Sequence, residues 1–146
     1  MSEILLQLHS LVPYLFLVLI LVTIIMTGMA MNSGNFNSRT MSLARVVMIL
    51  AHIQFILGIL LLVFGDRAKG AFTLGMGEIM KSPELRLSFV EHPSMMIIGV
   101  ALITIGFARS KRSSNGKSKA KNILVFYTIG LLIVLSRIPY GLWLNA

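Results

Sequence analysis

An all-α, integral membrane four-helix up-down bundle is the fold this sequence predicts, and three observations predict it. The 146 residues are 56% hydrophobic and only 12% charged, with a mean hydropathy of +0.87. Soluble domains run at about 45–50% apolar and about 25% charged, and a chain this short buries too little of its surface to hide the excess from water. Four apolar runs, Ile4–Met31, Leu43–Phe64, Leu87–Phe107 and Ile123–Leu144, each reach the roughly 20 residues that cross a hydrocarbon core of about 30 Å. The connections between them are short, and lipid offers the backbone no hydrogen-bond partners, so each run is helical.

Taken in order, the first run reads as a retained helix. It lacks a basic N-terminal region, its apolar stretch is too long for a signal peptide, and no small-residue cleavage site follows. Asn32–Asn37, rich in Asn and Gly, is a turn. The second run leads into a Gly-rich connection from Gly65 to Lys81. Ser82-Pro83-Glu84 is a helix start, with Ser as N-cap, Pro at the first helical position and an acid in the first turn. The third helix therefore begins near Pro83. Arg109–Lys121 is a Ser/Lys-rich loop before the fourth run. The spans fall at about 4–31, 43–64, 85–109 and 122–144 of a single transmembrane domain, 1–146.

The formal charge of +8 is explained by membrane orientation rather than by nucleic acid. The loop between the third and fourth spans carries Arg109, Lys111, Arg112, Lys117, Lys119 and Lys121, and Arg39 and Arg45 flank the first connection. Against these stand Arg67, Lys69, Lys81 and Arg86 in the middle connection. Basic residues favour the cytoplasmic side, which sets both termini extracytoplasmic and turns the basic loop toward anionic membrane lipid. No nucleic-acid module is present. The chain has no Cys, which removes disulfides, Fe–S clusters, Cys-ligated zinc and covalent c-type haem.

Ionisable side chains inside a span are costly and face a bundle interior. Here they are His9, His52, Glu91, His92 and Arg137, with Gln54 as the main neutral polar group. At a rise of about 1.5 Å per residue, His9 lies about 8 Å, His92 about 14 Å and Arg137 about 10–13 Å from the outer ends of their helices. All three gather in the outer half of the membrane, whereas His52 sits nearer the middle. First and third helices are diagonal in an up-down bundle, so His9 and His92 face one another and are the expected axial ligands of a haem iron, with His52 in reserve. Gly99 and Gly106 follow His92 at seven-residue steps and leave room for a porphyrin ring. Arg137 is suited to a haem propionate. The same residues admit plainer readings. Each His bonds a neighbouring helix, the glycines serve close helix packing, Arg137 neutralises Glu91, or Glu91 and His92 belong to a proton path. Met95 and Met96 keep a His/Met ligand set open. Tyr14, Tyr127, Tyr140 and Trp143 near helix ends fit an interfacial aromatic belt.

Leu8-His9-Ser10, Ala51-His52-Ile53-Gln54, Glu91-His92-Pro93 and Ser136-Arg137-Ile138-Pro139-Tyr140 together resemble a family of small bacterial four-helix membrane proteins of the cytochrome-b-like kind. The resemblance covers nearly the whole chain. It implies haem b, a bacterial inner (cytoplasmic) membrane, and a place in or near a respiratory complex with other membrane subunits or redox partners. In outline the chain is also similar to one half of a haem A synthase bundle, but at half that length it has too few His for two bis-His haems. The expected function is a b-type haem electron-transfer protein or complex subunit rather than a stand-alone enzyme. The alternative is a cofactor-free accessory subunit of a larger membrane complex. A third possibility is a quinone site near His52 and Gln54. No nucleophile elbow, P-loop, dinucleotide fingerprint or H-E-x-x-H motif occurs.

Overall fold

The computed structural model describes residues 2–144 and is helical almost throughout. In chain order the helices are α1 (Ser2–Ser33), α2 (Ser38–Phe64), α3 (Asp66–Thr73), α4 (Met76–Lys81), α5 (Pro83–Arg112), α6 (Gly116–Ser136) and α7 (Tyr140–Trp143). Four of them, α1, α2, α5 and α6, are long and apolar enough to cross a membrane. α1 packs against α2 and α6, and α5 packs against the same two helices. α1 and α5 therefore lie across the interior from each other.

Each long helix turns one stripe inward, with steps of three and four residues. The buried positions are Phe16, Ile20, Thr23, Thr27 and Ala30 on α1, and Thr40, Ala44, Val47 and Ala51 on α2. They continue as Gly99, Ile103, Gly106, Phe107 and Ser110 on α5, and as Ala120, Ile123, Tyr127, Gly130 and Leu131 on α6. That spacing is the signature of a helix with one packed face. The outward faces are equally apolar, with Leu11, Ile25, Met29 and Leu132 all more than 60% exposed. So much uncovered apolar surface is foreign to a water-soluble monomer.

The closest helix pair is α5 with α6, and glycines bring it together. A Cβ on Gly106 would lie 2.5 Å from Phe126 Cβ, and one on Gly99 would lie 2.6 Å from Val134 Cγ2. Where lipid removes the hydrophobic drive for helix association, such close van der Waals contact replaces it. Caps fix the helix starts. Asn37 accepts from Thr40 N at 3.0 Å, Asn115 from Ser118 N at 2.8 Å, and Ser82 from Leu85 N at 3.4 Å, ahead of Pro83.

Three boundaries differ from the sequence reading. The fourth helix stops at Ser136 instead of running to 144. Pro139 has no N–H and disfavours helical backbone in the residue before it, so the chain breaks and resumes as the single turn α7. The connection 65–81 is not a plain loop but holds α3 and α4. The basic residues 109–121 are largely helical, with only Ser113–Asn115 between α5 and α6.

Candidate functional site

The packed interior ends near the middle of the long helices. Beyond Phe16 the stripe of α1 continues with Pro13 and His9, that of α2 with Gln54 and Gly58, that of α5 with Met96 and His92, and that of α6 with Val134 and Ile138. These residues line a cavity of about 560 Å³ whose walls are mostly apolar. Such a volume falls in the range of small-molecule and cofactor pockets. Its polar end carries Ser2, Glu3, Asp66 and Arg67, and Trp143 closes one side. The Trp143 indole N–H donates to Ser10 O at 2.8 Å, and its ring lies 4.8 Å from Tyr14.

His9 is held through a vacancy that a proline creates. In an unbroken helix the carbonyl of His9 would accept from the N–H four residues on, but that residue is Pro13 and carries none. The amide of Gln54 fills the place, with Nε2 donating to His9 O at 2.8 Å and lying 3.1 Å from His9 Nδ1. Gly58 lets α2 approach the ring, since a Cβ there would stand 3.1 Å from His9 Cε1. The Gln54 Oε1 is buried with no hydrogen-bond partner among the described residues.

His92 is held at a second helix break. Its Nδ1 donates to Arg137 O at 2.9 Å, a carbonyl at the point where α6 ends ahead of Pro139. A carbonyl only accepts, so the proton sits on Nδ1 and the Nε2 lone pair is free to bind. This is the usual way a ligating imidazole is oriented. One turn of α5 before it, Leu87–Glu91, is widened to an i→i+5 pattern in which His92 N bonds Leu87 O. π-type turns of this sort recur at functional sites. Beside it Glu91 bridges two guanidiniums, Arg86 Nε at 2.9 Å and Arg137 Nε at 3.3 Å.

The two imidazoles meet across the interior, with ring centroids 6.2 Å apart and planes at 89°. Two imidazoles on opposite sides of one metal, each nitrogen about 2 Å from it, put their ring centres ~6 Å apart. The apolar walls, the separation and the protonation of His92 fit a bis-His haem. His9 fits less well. The Gln54 amide is oriented by its bond to His9 O, and the same nitrogen donates toward Nδ1, which leaves the ring proton on Nε2. His9 Nε2 would have to give up that proton before it could bind a metal.

The other residues singled out by sequence lie elsewhere. Arg137 contributes its carbonyl to His92, while its guanidinium is engaged by Glu91 and by Ser136 O at 2.9 Å and does not line the cavity. Gly99 packs against Val134 and Gly130 O in the α5–α6 contact. His52 faces outward, with Nδ1 bonded to Met48 O at 2.8 Å, so His52 and Gln54 do not share a site. Met96 is on the cavity wall. From the sequence, Gly58 reads as a helix-packing face, Arg67 as a connection charge and Trp143 as part of an interfacial belt, none of them as part of this site. Sequence reading also missed the Gln54–His9 bond, for which the four-residue step from His9 to Pro13 was the available signal. Among the described residues, no three His, Asp or Glu side chains gather as a metal site. Comparison with protein-family models, with curated proteins and with solved structures finds no match to this chain.

Proposed function

We propose that the chain is a b-type haem-binding protein of the bacterial inner (cytoplasmic) membrane, an electron-transfer protein or a haem-bearing subunit of a respiratory complex. In this reading it spans the membrane as an up-down four-helix bundle, with both termini extracytoplasmic and the basic α5–α6 turn inside. The resemblance to small cytochrome-b-like membrane proteins points the same way. One observation carries the reading: imidazoles from α1 and α5 come together, ring centroids 6.2 Å apart and planes at 89°, on the wall of a roomy apolar cavity. Bound haem would supply a one-electron couple whose potential its axial ligands and their hydrogen bonds set.

The chain's own residues do the rest. His9 and His92 would hold the iron. Gln54 and the Arg137 carbonyl fix the two ring orientations. Met96, Val100 and Phe16, on the cavity wall, would keep water out of it. Arg67, on the polar end of the cavity and loosely paired with Glu84 at 3.9 Å, is the guanidinium that would reach a propionate, since Arg137 does not line the cavity. The membrane-embedded protein, purified from haem-replete cells, is expected to show a low-spin b-type absorption spectrum at one haem per chain. That spectrum is lost in His92→Ala and kept in His52→Ala. Colourless protein overturns the proposal.

The proton that Gln54 leaves on His9 Nε2 favours one competing reading, a cofactor-free accessory subunit whose His residues serve helix-to-helix bonding. Copurification with a large complex, with no haem signal from this chain, would select it.

A further inference from the structure

His52 stands near the middle of α2, on the outer surface of the helix assembly, among Ile49, Ile53 and Ile56, which are themselves exposed. An imidazole in that position faces hydrocarbon, where an unmet polar group is costly. Half of its hydrogen bonding is met at home. Nδ1–H donates to Met48 O at 2.8 Å, so a neutral ring carries a lone pair on Nε2. Among the described residues the one group at hydrogen-bond distance from Nε2 is the Thr104 hydroxyl, 3.5 Å away. That hydroxyl has a single proton, and it is directed to Val100 O at 2.7 Å. Nε2 is therefore an acceptor still waiting for a donor.

It waits in a groove. His52, Phe55, Ile97, Ala101, Thr104 and Ile105 line an open depression of about 370 Å³ between α2 and α5. Phe55 and Val100 belong to this groove and also to the wall of the His9–His92 cavity. The groove thus offers apolar walls, an aromatic flank, one acceptor and a position one side chain from the inner cavity.

We infer that this groove binds a membrane-soluble quinol, whose ring lies against Phe55 and whose hydroxyl donates to His52 Nε2. The donor requirement comes from the groove itself and is shared by any hydroxyl-bearing lipid. The choice of a quinol rests on the haem reading, because the groove then seats a lipid-soluble reductant against the haem cavity.

The test uses the full chain in lipid nanodiscs and the fluorescence quenching of a hydroxyquinoline N-oxide, a quinol analogue. Saturable binding at one site per chain is expected. His52→Leu, which removes the acceptor, and Ala101→Phe, which fills the groove, each weaken it at least tenfold, while His52→Gln, which keeps an acceptor, stays within a few-fold. Excess diacylglycerol leaves the binding in place. Absence of binding, or binding indifferent to His52→Leu and Ala101→Phe, overturns the site. Equal displacement by diacylglycerol overturns the quinol in favour of a hydroxylated lipid. A dimer that disappears in His52→Leu overturns it in favour of a second copy of the chain. Absorption and analogue binding measured on the same unsubstituted protein separate the two proposals. Colourless protein that still binds the analogue sinks the haem reading alone, and pigmented protein that does not bind it sinks the groove alone.

Discussion

The two halves of the four long helices use the same inward stripe for opposite ends. In the half nearest the Ser113–Asn115 turn, the stripe is filled. Phe16, Ile20, Val47, Ile103, Phe107, Ile123 and Tyr127 interlock. The polar groups there all end on backbone carbonyls: Thr23 Oγ1 on Leu19 O at 2.7 Å and Thr27 Oγ1 on Thr23 O within α1, Ser110 Oγ on Lys119 O at 3.0 Å between α5 and α6, and Tyr127 OH on Ala44 O at 2.6 Å between α6 and α2. In the other half the stripe carries His9, Pro13, Gln54, Gly58 and His92, and a cavity stands where the first half has side chains. Its hydrogen bonds run from helix to helix, Gln54 to His9 and His92 to Arg137. One half fixes how the helices cross, and the other spends that rigidity on holding two rings apart.

Substitutions that act on one half alone would break or sharpen this division. The largest effect is expected from Gly106→Leu. Its side chain would meet Phe126 Cβ and Asn122 O of the neighbouring helix, and the resulting overpacking should cost about 3 kcal/mol of stability. Thermal unfolding in detergent checks it, and a shift of less than a degree or two would mean that α5 and α6 are not locked there. Gln54→Leu should do the reverse. If the proposed haem is bound, losing the group that orients a ligating imidazole weakens metal binding by about tenfold or more, so haem titration should register a clear drop while the unfolding temperature stays near that of the parent. Equal haem affinity would remove Gln54 from the site. The smallest effect belongs to Tyr127→Phe. It deletes a single interhelical bond, and such bonds between membrane helices are worth about 0.6 kcal/mol on average. Unfolding should detect it, and the absorption spectrum should not move.

Much of the architecture was legible because periodicity survives in the sequence. His9 stands seven residues before Phe16, and His92 stands seven before Gly99, so both imidazoles share a face with residues that had to be inside. That Arg137 neutralises Glu91 was one of the readings the sequence left open, and the structure forms that ion pair. Less legible was anything that depends on a helix ending. The fourth apolar run is unbroken in composition, so its length suggested a span to Leu144, whereas Pro139 halts the helix and turns the Arg137 carbonyl toward His92. Composition also hid α3. Glycine content suggested a loop, yet Asp66–Thr73 is helical and delivers Arg67 to the cavity. A basic residue on an amphipathic turn between spans looks like any solvated lysine or arginine until a wall is seen beside it.

The widened turn at Leu87–Glu91 amounts to one residue more than a regular helix needs over that stretch. Loss of a single codon there would restore the ordinary winding without touching His92. At 3.6 residues per turn, everything upstream in that helix would swing through about 100°. Arg86 would leave Glu91, and Arg137 would become its one remaining cation. The ring would stay where it is while the charges around its rim were redealt, so insertion or deletion at this point would retune the electrostatics around His92 without replacing either imidazole.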